Sequence, residues 1–383
     1  MAAPLSEEAF DLERILVGLE RWVSVSSPTT DPDAVNRMMD LAGEELEALG
    51  AETERHSGRE GFADVTICRL RGRSATEGIL VLSHLDTVHA PGSLEHDLTF
   101  RREGEKAFGP GILDMKGGTF LAVEAFRRIR DAGLRTRLPV TFMFVPDEEV
   151  GSPSSRGLIE AEARRNRFVL VPEPSQEGAD VITGRWAFQR FVLLARGRPA
   201  HAGATLASGR SAIREMAEQV VRIEEMSEPE RNLTLSVGRI GGGKFVNVVP
   251  WICEAEVLAV TEDPADFDRI RERVLALGAL HEEIELEVRP GPVRPLFTPS
   301  AESLELFRQA EEIAREIGFD PEPGIVGGGS DGNFTGALGV PTLDGLGPEG
   351  SGFHTENEHV LVDSLIPRAR LLSGLLLTLG ENP

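Results

Sequence analysis

Three short apolar runs constrain this chain more than any other feature: Ile79-Leu-Val-Leu82, Val140-Thr-Phe-Met-Phe-Val145 and Phe168-Val-Leu-Val171. A half-exposed strand alternates apolar and polar residues, and these runs do not. Each is therefore expected to be a strand covered on both faces, as in a mostly parallel sheet between helical layers. Residues 6–23, 34–49 and 115–130 carry apolar side chains at helical spacing, the second stopping at Gly50 and the third at Gly133. Strand, helix and strand in that order make the repeating unit of an α/β domain.

The pattern changes after Gly184. Residues 188–194 read as a strand, 211–226 as a helix, 233–240 and 246–260 as strands, 265–277 as a helix and 284–288 as a strand. The order βαββαβ is that of a compact, ferredoxin-like α+β unit. A helix over 300–317, closed by Gly318, and an apolar segment at 340–343 then resume the first pattern. The chain of 383 residues is thus expected to hold an α/β unit made of 1–184 and 293–383, interrupted by an inserted α+β unit at 185–292.

A formal charge of −23 repels phosphate backbones and anionic lipid, which argues against nucleic-acid and membrane partners. No apolar stretch reaches the ~18 residues of a membrane span. The first residues carry Glu7, Glu8, Asp11 and Glu13 and lack the basic-then-apolar order of a secretory leader. Cys68 and Cys253 lie in strand-like apolar runs and read as reduced core residues, so a cytoplasmic location is expected.

Each buried strand runs into acidic or histidine residues, where open α/β sheets place their ligands. The first leads to His84-Leu-Asp86, the second to Asp147-Glu148-Glu149 and the third to Glu173-Pro. Asp114 opens a helix inside Gly-Pro-Gly-Ile-Leu-Asp-Met-Lys-Gly-Gly, and His354 follows the turn-rich segment 345–352. Taken singly, an Asp before a helix is more often an N-cap than a ligand. Converging carboxylates repel and raise one another's pKa unless cations neutralise them. Two divalent metals would do so, and imidazole with carboxylate suits zinc, cobalt or manganese.

These motifs, together with Ala-His201-Ala-Gly, Asn247-Val-Val-Pro, Gly-Gly-Gly-Ser-Asp331-Gly-Asn and Gly-Phe-His354-Thr, resemble the M20 dinuclear metallopeptidases. The likeness is strongest to the glutamate-carboxypeptidase-like branch and extends to the acetylornithine deacetylase and succinyl-diaminopimelate desuccinylase group. It implies that Asp114 bridges two metals, with His84 and Glu173 completing one ion's ligands and Glu149 and His354 the other's. It further implies that Asp86 accepts the second N–H of His84, and that Glu148 is the general base for a metal-bridging water. His201 would donate to the oxyanion, in relatives commonly in the partner subunit's site. Asn247 and Arg294 would contact substrate, and the insertion would act as a lid and as the surface of a homodimer.

Two departures bear on specificity. The Asp-Val-Arg strand end of many relatives reads Leu258-Ala259-Val260 here, and residues 175–182 contain no counterpart of the lysine that glutamate releasers carry. Arg185 is a candidate substitute. Lys116 reads as a helix-surface residue without a catalytic role. His56, His89, His96, His281 and His359 are assigned to the surface or to support of the ligands. The loop 327–333 lacks the Gly-Lys-Ser/Thr end of a P-loop and is expected to bring backbone close to substrate.

The resulting expectation is a hydrolase that cleaves an amide next to a free carboxylate in a small peptide or N-acyl amino acid. A carboxypeptidase and an N-acyl-amino-acid deacylase both fit. A catalytically inert ligand-binding homologue is the alternative of another class, and the retention of all five ligand positions with Glu148 weighs against it.

Overall fold

The computed structural model describes residues 4–93, 98–176 and 180–381. The chain divides into two units. One takes residues up to Arg185, Phe297–Val326 and residues from Ser330 onward, and the other takes Trp186–Leu296 with Gly327–Gly329. The inserted unit thus ends at Leu296 rather than at the expected 292, because the strand read as 284–288 continues over Glu285–Arg294.

In the first unit, six strands lie in the spatial order Glu52–His56, Val65–Leu70, Val140–Val145, Gly78–His84, Asn166–Leu170 and Thr342–Leu343. The last four are mutually parallel, and Val65–Leu70 runs antiparallel to both of its neighbours. Every residue of Gly78–His84 and Val140–Val145 is buried, the burial that their unbroken apolar sequence requires. Their register pairs Ile79 with Val140 and His84 with Val145, so both strands end level, at one edge of the sheet. The chain leaves that edge into the acidic and histidine motifs.

The N-terminal helix begins at Leu12, where the Asp11 carboxylate accepts the N–H groups of Glu13 and Arg14, and only a 3-10 turn, Glu7–Ala9, precedes it. The helices Pro32–Ala48, Lys116–Asp131 and Ala301–Ile317 follow the sequence reading within a few residues, the last closed by Gly318 at φ 114°. A further helix, Val362–Thr378, packs against Lys116–Asp131 and Ala301–Ile317 and contributes Leu365, Leu372 and Leu376 to the largest core cluster.

The inserted unit is the α+β fold its pattern suggests. Strands Thr234–Gly242, Ile252–Thr261, Ala187–Arg196 and Glu285–Arg294 form an antiparallel sheet in that order, with helices Ala212–Glu224 and Pro264–Leu275 packed on it. The strand expected over 246–260 starts only at Ile252. The residues before it pair elsewhere: Ala202 N–H donates to Asn247 O and Val249 N–H to Ala200 O. Cys68 and Cys253 are buried free thiols. Among the described residues, no helix is long and apolar enough to cross a membrane.

Candidate metal centre

His84 ends its strand at 1% exposure, and Asp114 stands two residues before the helix Lys116–Asp131. That helix can start so near the sheet edge because Gly118 has no side chain: a Cβ there would fall 1.8 Å from Pro172 O, beside Glu173. Glu149 lies in the 3-10 turn Glu148–Val150 that follows Val140–Val145. His354 sits at φ 64°, a backbone region that residues with a Cβ seldom occupy outside functional sites.

Asp114 joins these groups. Its Oδ1 is 3.1 Å from His84 Nε2 and its Oδ2 is 3.1 Å from His354 Nε2. Glu173 Oε1 lies 3.7 Å from the same His84 nitrogen, and Glu149 Oε2 lies 3.2 Å from His354 Nε2. Ligating atoms of His84, Asp114 and Glu149 all fall within 4.8 Å of one another. Two sets of donors, His84 with Glu173 and His354 with Glu149, therefore share one carboxylate.

The charges make that arrangement costly without cations. Burial, then the charge of Asp114, pushes the Glu173 carboxyl well above the usual range, and the same two causes raise Glu149. Burial also opposes charge on Asp114, but hydrogen bonds from His354 and His84 outweigh it and hold that carboxyl low. His354 is pushed up to about 10 by its hydrogen bonds to Asp114 and Glu149. For His84, burial favours the neutral ring, yet Asp114 and Asp86 outweigh it and raise the imidazole well above its ordinary value. N/O donors of this type fit divalent zinc, cobalt or manganese.

Asp86 supports more than His84. The His84 Nδ1 lies 2.9 Å from the Asp86 main-chain oxygen and 3.4 Å from its carboxylate Oδ1, so the carbonyl is the nearer acceptor. The Asp86 carboxylate accepts the N–H groups of Glu148 and Glu149 and the Thr29 hydroxyl, which anchors the turn carrying both glutamates. Asp147 fixes the far end of that turn by accepting Ser154 N–H and the Ser155 hydroxyl. Burial pushes Asp147 up to about 6. Glu148 is close enough for its charge to raise both His84 and Glu173.

In the inserted unit, the loops of His201 and Asn247 meet through an isolated bridge between His201 and Val248. His201 and Asn247 are both exposed. The His201 Nδ1 accepts N–H groups from Gly203 and Ala204, at 3.2 and 3.1 Å, which puts the ring proton on Nε2. Arg294 is 1% exposed, with its guanidinium 5.7 Å over the Phe188 ring. The glycines of the 327–329 segment have a packing reason: a Cβ on Gly329 would fall 2.2 Å from the Phe188 ring and one on Gly327 would fall 3.1 Å from Trp186.

Several residues differ from their sequence reading. Lys116 is not on the helix surface but 1% exposed, donating to Val25 O at 2.7 Å, and burial lowers its pKa to about 7. Its turn of helix is enclosed, which periodicity alone does not reveal. Arg185, the candidate substitute cation, is bidentate to the buried Asp344 at 2.7 Å through both Nε and Nη2. His56 and His281 make surface pairs with Glu54 and Glu218. His359 is buried against Phe108, and His96 lies outside the described residues. His89 contacts Glu358, a buried residue that the sequence reading passed over.

A profile of the peptidase family M20/M25/M40 matches residues 80–378, and the chain belongs to that family of metallopeptidases. Among its relatives, carboxypeptidase G2 of Pseudomonas sp. (strain RS-16) is 28% identical over 379 residues, covering 96% of this chain and 90% of the relative. The fold matches a dipeptidase from Saccharomyces cerevisiae with TM-score 0.77 at 15% identity, over 97% of this chain and 96% of that one. A tripeptidase from Staphylococcus aureus matches with TM-score 0.72 at 20% identity, over 96% and 98%. The protein is thus a peptidase-type hydrolase of a family that uses divalent metals.

Proposed function

We propose that the protein is a dinuclear metal-dependent hydrolase that cleaves the amide bond next to a free carboxylate, releasing a C-terminal amino acid. The observation that carries this reading is the position of Asp114, whose two oxygens each meet a histidine from a different segment at 3.1 Å. In this reading Asp114 would help hold both ions, His84 and Glu173 would hold one and His354 and Glu149 the other. Bound ions, zinc first among the candidates, supply Lewis-acid polarisation and acidify water.

The chain's own groups do the rest. Glu148, held on its turn by Asp86, takes a proton from the attacking water and delivers it to the leaving amine. His201, with its proton on Nε2, is the donor to the oxyanion. Asn247 contacts the substrate beside it. Arg294 is the proposed cation for the free carboxylate, since arginine offers a bidentate fork. Assembly as a homodimer through the inserted unit is part of the reading. It is supported by the edge strand Thr234–Gly242, whose Ile240 is 51% exposed.

One observation favours a second reading within the same chemistry. Arg185 is committed to Asp344 and residues 175–182 contain no basic residue, so neither supplies the extra cation that an acidic side chain would need. An N-acyl-amino-acid deacylase requires only the one carboxylate contact. Metal-loaded protein assayed on dipeptides, N-acyl amino acids and N-acyl glutamates separates the two. Undiminished hydrolysis after verified metal removal would sink both, and a chain that binds no divalent ion and turns over no substrate would be the inert homologue.

A further inference from the structure

Glu358 follows His354 by four residues and is 1% exposed. Its Oε1 accepts the N–H groups of Leu113 and Asp114, at 2.8 and 3.0 Å, and its Oε2 accepts that of Gly111 at 2.9 Å. The segment leading to Asp114 belongs to no helix or strand, so this carboxylate supplies the partners that a regular ladder would otherwise give. The same Oε2 lies 2.5 Å from His89 Nε2, five residues beyond His84. The main chain of Glu358 is fixed as well: its carbonyl accepts Gly109 N–H, and the next residues, His359–Leu361, pair with Lys106–Phe108. One side chain therefore ties together the segments that carry His84, Asp114 and His354. Lys116, equally buried, stands near enough for Glu358 to act on it electrostatically.

We propose that Glu358 is a positioning residue of the metal centre: by binding three main-chain N–H groups and His89, it sets where the Asp114 oxygens stand relative to His84 and His354, and so sets metal affinity. This rests on the reading of those three residues as ligands. A carboxylate this buried could instead serve stability alone, and the two roles have different signatures. A purely structural role lowers Tm and leaves the ion affinity of the folded protein untouched. A positioning role weakens ion binding in protein that is still folded, by the ~10–100-fold typical of groups that orient ligands.

The test uses the full chain stripped of metal and titrated with Co²⁺ alone, followed by calorimetry and by the visible spectrum of the bound ion. Glu358→Gln and His89→Gln are compared with wild type and with Glu215→Gln. Glu215 is a 0% exposed carboxylate of the inserted unit that accepts Leu280 and His281 N–H groups, so its variant reports the cost of losing any such group. Glu358→Gln is expected to keep its fold, lose ~10–100-fold in affinity and change the spectrum. His89→Gln is expected to lose affinity by a smaller factor, and Glu215→Gln to bind as wild type does. Wild-type affinity in folded Glu358→Gln, or an equal loss in Glu215→Gln, overturns the proposal. If Glu358→Gln does not fold, His89→Gln decides: wild-type affinity there overturns it. A wild-type chain that binds no Co²⁺ would instead remove the reading of the site on which the proposal stands.

Discussion

Asp114 reaches His84 with one carboxylate oxygen and His354 with the other, each at 3.1 Å, although the two histidines come from segments 270 residues apart. No side chain caps the helix behind it, and Met115 rather than Asp114 occupies the N-cap position. The usual explanation for an aspartate before a helix therefore does not apply here. What remains is a shared anionic group between two sets of donors.

Glu148 and Glu149 are adjacent on one short turn, and Glu149 Oε2 approaches His354 Nε2 at 3.2 Å. Glu148→Gln is expected to bind ions as wild type does and to lose ~10² to 10⁴ in kcat, the range for removing a general acid–base group. Glu149→Gln should lower ion affinity instead. Metal content and kcat measured on both variants check the division, and the reverse pattern would exchange their roles.

Metal binding should be strongly pH-dependent. In the metal-free protein the hydrogen bonds to Asp114 and Glu149 push His354 up to about 10, and His84 is also held well above its ordinary value. Each proton that the raised pKa favours on these rings must leave before the nitrogen can bind an ion. Affinity is accordingly lowest below those pKa values and rises as pH climbs towards them, by ~10-fold per pH unit for each proton displaced. Calorimetry in buffers of different ionisation enthalpy counts the protons released. An affinity that does not change between about pH 6 and about pH 8 would contradict it.

Arg185 and Asp344 test a structural assignment. Both are almost fully enclosed, at 3% and 0% side-chain exposure, and their contact is bidentate. Arg185→Leu leaves a buried carboxylate without its cation, which costs ~3–5 kcal/mol when one partner of such a pair is removed. Urea unfolding should show this as a lowered midpoint. The double variant Arg185→Leu/Asp344→Asn should recover part of the loss, since it removes the orphaned charge.

The legible parts of the chain were those where a residue's own neighbours declare its environment. Ile79 to Leu82 and Val140 to Val145 are apolar without alternation, and both proved buried on every residue. The strand Glu52–His56 is Glu-Thr-Glu-Arg-His, an edge strand with no apolar face to give it away. The helix Val362–Thr378 failed in the opposite way: it is buried nearly all round, so it lacks the one-sided stripe that marks a surface helix. Within the site, His84 and Glu149 could be gathered from strand ends and Asp114 from the start of a helix. Glu358 could not, because it binds main-chain N–H groups about 245 residues earlier, and an amide donor has no side-chain identity to read. Its only sequence signal is an acid-rich stretch, Thr-Glu-Asn-Glu, directly after His354.

His201 supplies the last prediction. Its Nδ1 is occupied by the N–H groups of Gly203 and Ala204, so Nε2–H is the group left for a ligand, and the ring is exposed on a loop of the inserted unit. A donor on a separate unit can serve the metal centre of its own chain or that of a second copy, and the proposed homodimer makes the second arrangement available. Mixing His201→Ala chains with Glu148→Gln chains distinguishes them. If His201 acts across the dimer, a mixed dimer contains one site carrying both defects and one carrying neither. Statistical exchange then puts half of the molecules in mixed form, and with one intact site each the mixture should regain about a quarter of wild-type activity. With His201 acting in its own chain, every site in the mixed dimer keeps one defect, and activity stays at the level of the separate variants. Mass spectrometry on isotope-labelled chains verifies that exchange has occurred, so a failure to recover activity means that His201 acts within its own chain or not at all.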